Sequence, residues 1–532
     1  MWALALLLVG AARGQLRLDP LVDTKVGLIK GLRADDGDYS MFLGVPYGKV
    51  DAANAFGAAA PYPKFESPFE AYDDSNICPQ IEEFSKEIRG NLDCLRLNIY
   101  VPNVATTRNK LPVLVWIHGG GFQYGSGAKY AAGPRFIVRH DIILVSINYR
   151  LGPYGFMCLD LPEVSGNQGL KDQTLALRWV RDNIQEFGGD PNQVTIYGES
   201  AGAASVEFHI ISKNEKLFNQ AILSSGSIFG RWTVASVNNT APSKLARQLG
   251  YDTNDLKDAL AFLNQTDTKL VVAAANTVDV TLVGCVEQEF DGVEAFLTER
   301  PYGLTELPKA KGINIMSGYN SHEMMLGLPN EQVDAYVGVD PFRDFVDKVG
   351  FGEKRAAAYD FLRHFYIGDE AIGESVKWEL VNFNSDTSFN HPIQKSIERF
   401  HQSGAKNIYH YVFGYSGHRN FVKVRLNITE DGAAHADELG YIFDIVVLDK
   451  PVNEQDQVVV DRMTSMWANF VKHGNPTPET TDLLPTKWPA VTTDSLNYMF
   501  IGEELKTGSR PNHERMSFWD LFYEAYKEEV LG

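Results

Sequence analysis

The 532-residue sequence holds no apolar run of about 20 residues, the length a helix needs to cross a bilayer, so no membrane span or anchor is expected. It has no excess of positive charge. Its 49 Lys and Arg stand against 68 Asp and Glu, a net charge of −19, which argues against nucleic acid or an anionic membrane as partner. No stretch is low in complexity and no motif recurs at a fixed period, which excludes solenoids and extended disordered arrays. Cysteine is scarce, with four in all, and no Cys/His group has zinc spacing; neither a metal nor a cofactor is expected. A chain this long can bury a large core without staples. The last residues, Glu528 to Gly532, carry no apolar tail, lipid-anchor pattern or retention tetrapeptide.

Several features point to a secretory route. Ala3 to Gly10 form a short apolar core, and the small residues Ala12 and Gly14 are spaced for cleavage before Gln15, although no Lys or Arg precedes the core. Residues 1–14 are therefore expected to be a signal peptide and residues 15–532 one large domain, secreted and extracellular. Asn238, Asn264 and Asn427 each open an N-x-Thr sequon. Cys78 and Cys94 flank a polar loop that a bridge would close, as an oxidising compartment allows. Cys158 and Cys285 sit in apolar stretches and read first as buried free thiols, with a pairing between them left open.

From residue 110 to 230, continuous apolar runs alternate with helical spacing. Val113–Ile117, Ile142–Ile147, Val194–Tyr197 and Ala221–Ser224 read as strands. Between the second and third, Leu170, Leu177, Val180 and Ile184 recur at helical intervals until Gly188-Gly189-Asp190-Pro191. Later strands are expected at Ile313–Ser317 and Ile408–Phe413, with mostly helical pattern over 330–405. Apolar strands separated by helices predict a mostly parallel sheet covered on both faces.

Four segments carry chemistry. Gly198-Glu199-Ser200-Ala201-Gly202 follows a strand and opens a helix of small residues, the context in which a serine is thrust out of a sharp turn as a nucleophile. His118-Gly119-Gly120-Gly121-Phe122 follows the strand Val113–Ile117. Backbone N–H groups of Gly120 and Gly121, with that of Ala201, would form a hole for a tetrahedral oxyanion. No Lys follows these glycines, as a phosphate-binding loop would require. Of twelve histidines, His435 follows the last expected strand and suits a general base; His118 is the other candidate. Glu323 lies just past the strand Ile313–Ser317, giving the chain order Ser, acid, His of an α/β hydrolase.

Taken together these motifs resemble the type-B carboxylesterase and cholinesterase family, over nearly the whole chain. Phe42-Leu43-Gly44-Val45-Pro46-Tyr47, Asp93-Cys94-Leu95-Arg96-Leu97-Asn98 and Asn148-Tyr149-Arg150-Leu151-Gly152 extend the resemblance. So do Asn167 to Gln173, Trp467-Ala468-Asn469-Phe470 and Phe518-Trp519. The resemblance implies an α/β-hydrolase fold with large helical insertions and the triad Ser200, Glu323 and His435. It also implies a Cys78–Cys94 bridge, an Arg150–Asp172 ion pair and Trp232 as a wall of the acyl pocket. Val278 and Val280 fall where acetyl-selective relatives carry bulky aromatics, which implies room for a longer acyl chain. The chain looks most like secreted insect carboxylesterases, acting on a small-molecule ester.

The departures also inform. An Arg and a Glu that the family usually pairs are replaced by Ala55 and Leu92, so no charge is orphaned. No cysteine lies between 250 and 275, where the family has a second bridge. The Cys78–Cys94 loop holds no Trp for cation–π binding of a quaternary ammonium, which argues against a cholinesterase. Glu199 stands where juvenile-hormone esterases typically have Gln. The competing readings are a binding or adhesion protein, as in family members that lost the triad, and a peptidase, since the triad chemistry is shared.

Overall fold

The computed structural model describes residues 20–304, 307–327, 336, 338–448 and 451–531; the expected signal peptide lies outside them. Eleven strands form the main sheet. They are β1 (Leu32–Arg33), β2 (Tyr39–Pro46), β3 (Arg96–Pro102), β4 (Leu111–Ile117), β5 (Ile143–Ile147) and β6 (Gly189–Glu199). The remainder are β7 (Gln220–Ser224), β8 (Asn314–Asn320), β9 (Asn407–Phe413), β10 (Asn497–Ile501) and β11 (Leu505–Ser509). Their spatial order is β11-β10-β9-β8-β7-β6-β4-β5-β3-β2-β1. The strands from β5 across to β10 pair in parallel. Antiparallel strands extend both edges.

Alternation along β4 explains why it reads as a continuous apolar run. Val113, Val115 and Ile117 enter one core, while Leu114 and Trp116 enter another on the opposite face. The helices α1 (Gln168–Asn183) and α2 (Ala201–Ile211) cover the first face through residues such as Leu170, Val180, Val206 and Ile210. Of the later helices α3 (Pro341–Val349), α4 (Arg355–Ile367), α5 (Lys377–Ser385), α6 (His391–Gln402), α7 (Phe421–Leu426) and α8 (Glu454–His473), the last covers the second face with Val459, Met463, Trp467 and Phe470. A third apolar cluster, built on Phe342, Leu362, Phe383 and Trp519, gathers α3, α4, α5 and α9 (His513–Ala525) into a helical insertion. This is the α/β-hydrolase arrangement expected. Strand order reverses at β4, whose neighbours are β5 and β6. Loops leaving the carboxyl ends of β4 and β6 therefore part company there, which opens a crevice suited to a site.

Cys78 and Cys94 are bonded. The reading of Cys158 and Cys285 as free thiols is overturned: they form a second disulfide across 127 residues. The short strand pairing of Val234–Ala235 with Gly284–Cys285 brings the second cysteine in. Asn167 fixes it, its side chain donating to the Cys285 carbonyl at 2.8 Å and accepting from its N–H at 2.9 Å. Apolar surroundings hide bridged and free sulfurs alike.

Arg150 and Asp172 are both fully buried and meet in a two-point contact of 2.7 and 2.8 Å. The carbonyls of Ala55 and Gly57 take the remaining guanidinium edge at 3.1 and 2.6 Å. Asp172→Ala leaves that guanidinium unpaired in the core. The expected cost is about 3–5 kcal/mol of stability, read from urea denaturation. Of the sequons, Asn427 stands exposed. The Asn264 amide instead donates to the carbonyls of Ala52 and Ala53 and accepts from the Ala55 N–H. A glycan there would displace these bonds.

Candidate active site

Ser200 terminates β6 and starts α2 with φ 57° and ψ −122°, a backbone conformation disfavoured for a non-glycine residue. Its flanking glycines answer a different need. A Cβ on Gly198 would lie 2.1 Å from the Gly202 carbonyl oxygen, and one on Gly202 would lie 2.0 Å from that of Ile117. The turn is therefore sharp because its two arms nearly touch, and the strain falls on the serine. The Ser200 N–H donates to the Ser224 carbonyl at 2.9 Å, which ties the turn to the end of β7.

The glycine run after β4 lies over this turn. Gly120 and Gly121 both have positive φ, 98° and 59°. A Cβ on Gly120 would strike the Tyr124 carbonyl oxygen at 2.1 Å, whereas one on Gly121 would meet nothing within 4 Å. Gly120 is needed for the fold of the loop and Gly121 leaves an open approach. Ala201, at the first position of α2, is fully buried. His118 belongs to the scaffold. Its ring stacks on Tyr149 at 4.4 Å, its Nδ1 lies 2.9 Å from the Gly119 carbonyl, and burial pulls its pKa down to about 4.

The loops after β8 and β9 are knitted by backbone bonds. The His322 N–H donates to the Ala433 carbonyl and that of His435 to the Glu323 carbonyl, at 2.9 and 3.0 Å. Glu323, fully buried, receives His435 Nδ1 on its Oε2 at 2.6 Å. Its Oε1 accepts from the Ser225 hydroxyl at 2.6 Å and from the Asn320 N–H at 2.7 Å. The imidazole packs on Phe389 at 4.5 Å. His435, Ser200, Gly120 and Gly121 line one cavity of about 150 Å³. Nε2 of His435 lies 3.2 Å from Glu199 Oε1, without hydrogen-bond alignment. Among the described residues no hydrogen bond joins His435 to the Ser200 hydroxyl.

Three carboxyl groups, Glu199, Glu323 and Glu438, surround this histidine. Burial alone would lower the His435 pKa; the charge of Glu199, then that of Glu323, outweighs it and lifts the pKa to about 9. Burial pushes the Glu199 carboxyl well above the usual range, and His435 opposes the shift. Burial likewise raises Glu438 to about 7, while Asn320 Nδ2 donates to it at 2.6 Å. Glu199, Glu438, Ser225 and Asn320 went unassigned in the sequence. Their one signal is adjacency to the motifs, Glu199 preceding the serine and Glu438 following His435 by one helical turn.

Trp232, Val278 and Val280 do not line the cavity around Ser200. Trp232 reaches it indirectly, packing on Phe389 at 5.9 Å, while both valines pack at the edge of the main core.

A model of the carboxylesterase family matches residues 18–519. Esterase FE4 of Myzus persicae is 32% identical over 464 residues, covering 83% of this chain and 82% of that protein. Esterase B1 of Culex pipiens is 30% identical over 532 residues, covering 94% and 98%. Among solved structures, the juvenile hormone esterase of Manduca sexta with OTFP covalently attached superposes with a TM-score of 0.82 at 26% identity. The match covers 95% of this chain and all of that one.

Proposed function

We propose that this chain, which belongs to the carboxylesterase family, is a secreted serine hydrolase that cleaves small carboxylic esters through an acyl-serine intermediate. The observation that carries the reading is the 2.6 Å bond from His435 Nδ1 to buried Glu323, in a cavity that Ser200 and the glycine loop also line. With Nδ1 donating, the neutral ring carries its lone pair on Nε2. Ser200 Oγ bonds to the ester carbon as its proton passes to Nε2, and the carbonyl π pair moves to oxygen. The N–H groups of Gly120, Gly121 and Ala201 hold that oxyanion. As it collapses, the bond to the alcohol oxygen breaks and His435 returns the proton to it. Water then attacks the acyl-serine by the same route. Secretion rests on the two disulfides, on Asn427 as an exposed sequon, and on the apolar leader expected from residues 1–14.

The alternative, a binding or adhesion protein that kept the fold, is separated by a fluorophosphonate probe. Stoichiometric labelling of the folded chain with turnover of aryl acetates supports the hydrolase. A folded chain that neither labels nor turns over supports the binding reading.

His435 works as a base only when neutral, so kcat/KM is lost as pH falls through its pKa. That pKa is raised, so the acid limb is expected well above the ordinary histidine value of about 6.5. Glu199→Gln removes the largest charge that raises it, and the limb should move to lower pH. A pH profile that keeps its position in this variant contradicts the electrostatic assignment.

A further inference from the structure

An ion pair stands in the lining of the cavity around Ser200. Glu83 and Arg425, with side chains only 19% and 21% exposed, are brought together from 342 residues apart in the chain. Glu83 belongs to the hairpin of the Cys78–Cys94 loop, whose strands Gln80–Ile81 and Ile88–Arg89 pair antiparallel. Glu82 folds the tip, accepting from the N–H groups of Phe84 and Ser85 at 3.1 and 2.7 Å. Gln80 clamps this hairpin to the glycine loop through Gly125, accepting from its N–H at 2.7 Å and donating to its carbonyl at 2.9 Å. Arg425 sits on α7. Asp437 ties that helix to the His435 loop, accepting from the Val422 and Lys423 N–H groups and from that of Ala434. The ion pair thus joins the oxyanion side of the site to the histidine side.

Phe84 stands beside the pair, with ring centroids 6.1 Å from Phe421, over which the Arg425 guanidinium lies at 5.4 Å. The same Phe84 also lines a second hollow of about 980 Å³ on its far side, which carries the exposed apolar residues Val446 and Val447. The two spaces differ sharply. Some 150 Å³ lies well under the roughly 300–1,000 Å³ of pockets that enclose drug-sized ligands, and the outer hollow is at the top of that range. Phe84 is the residue common to both linings.

We propose that the Glu83–Arg425 pair fixes Phe84 as a partition that sets substrate size, admitting esters of short alcohols and excluding long alkyl alcohols whose tails would need the outer hollow. The inference rests on the serine-esterase reading and names its substrate class. The alcohol is the part concerned because its oxygen must receive the proton from His435, whose loop is bound to α7 through Asp437. Arg425 Nε is a buried donor without a hydrogen-bond partner, and among the described residues the one carboxylate that Arg425 pairs with is that of Glu83.

The test compares kcat/KM for ethyl and decyl acetate in the native chain, in Phe84→Ala, in Glu83→Gln/Arg425→Met and in the exchange Glu83→Arg/Arg425→Glu. The decyl-to-ethyl ratio should rise at least about tenfold in the first two variants, since each apolar group admitted or refused in a pocket changes kcat/KM by roughly 10–200-fold. The exchange, which restores a pair, should return the ratio toward that of the native chain. Lengthening the acyl chain of ethyl esters should not reproduce the shift. If variants that still label with fluorophosphonate keep the native ratio, or if only the acyl series responds, the partition is refuted. If the native chain neither labels nor hydrolyses either acetate, the serine-esterase reading itself has failed.

Discussion

Ser200→Ala is expected to lower turnover of a short aryl ester by about a millionfold, the size of the loss when a triad nucleophile is removed. The size of the loss follows from what remains. The glycine amides and the cavity are untouched, so substrate still binds and the oxyanion hole still acts on adventitious water attack. The variant should fold as the native chain does, because among the described residues the serine hydroxyl makes no hydrogen bond for alanine to break. Circular dichroism and thermal melting verify folding; initial rates on an aryl acetate give the effect. Turnover within tenfold of native in a folded variant would remove Ser200 from the mechanism.

Glu323→Gln should cost about 10,000-fold in kcat, although it alters one atom. Two donors, the Ser225 hydroxyl and the Asn320 N–H, converge on Glu323 Oε1. An amide placed there turns its oxygen toward them and its NH2 group toward His435. The imidazole must then accept at Nδ1 and carry its proton on Nε2, the tautomer that cannot take a proton from Ser200. Nitrogen chemical shifts of the His435 ring report that tautomer directly. A variant with native rates, or with the proton still on Nδ1, would show that the carboxylate does not orient the base.

The sequence disclosed the parallel half of the fold because buried strands such as Val113–Ile117 are apolar on both faces. It was less informative about β2, β3, β10 and β11. Tyr39–Pro46 and Arg96–Pro102 mix polar and apolar residues, and their identity as strands depends on neighbours supplied from far along the chain. The serine and glycine motifs were readable because their geometry is local: a turn whose arms nearly touch needs glycines at fixed offsets. Glu323 and His435 were found through chain order and family resemblance, since 112 residues separate partners bonded at 2.6 Å. The carboxyl groups of Glu199 and Glu438 gave no such sign, because their effect on His435 depends on burial that only the folded protein creates. The same holds for the bond between Cys158 and Cys285.

The central claim, that an acyl group passes through Ser200, can be tested by rapid acid quench during turnover of an aryl ester followed by peptide mass spectrometry. The peptide containing Ser200 is expected to carry the acyl group in native chain and to lack it in Ser200→Ala. Steady hydrolysis with no acylated Ser200 at any quench time, or with the acyl group on another residue, would contradict it.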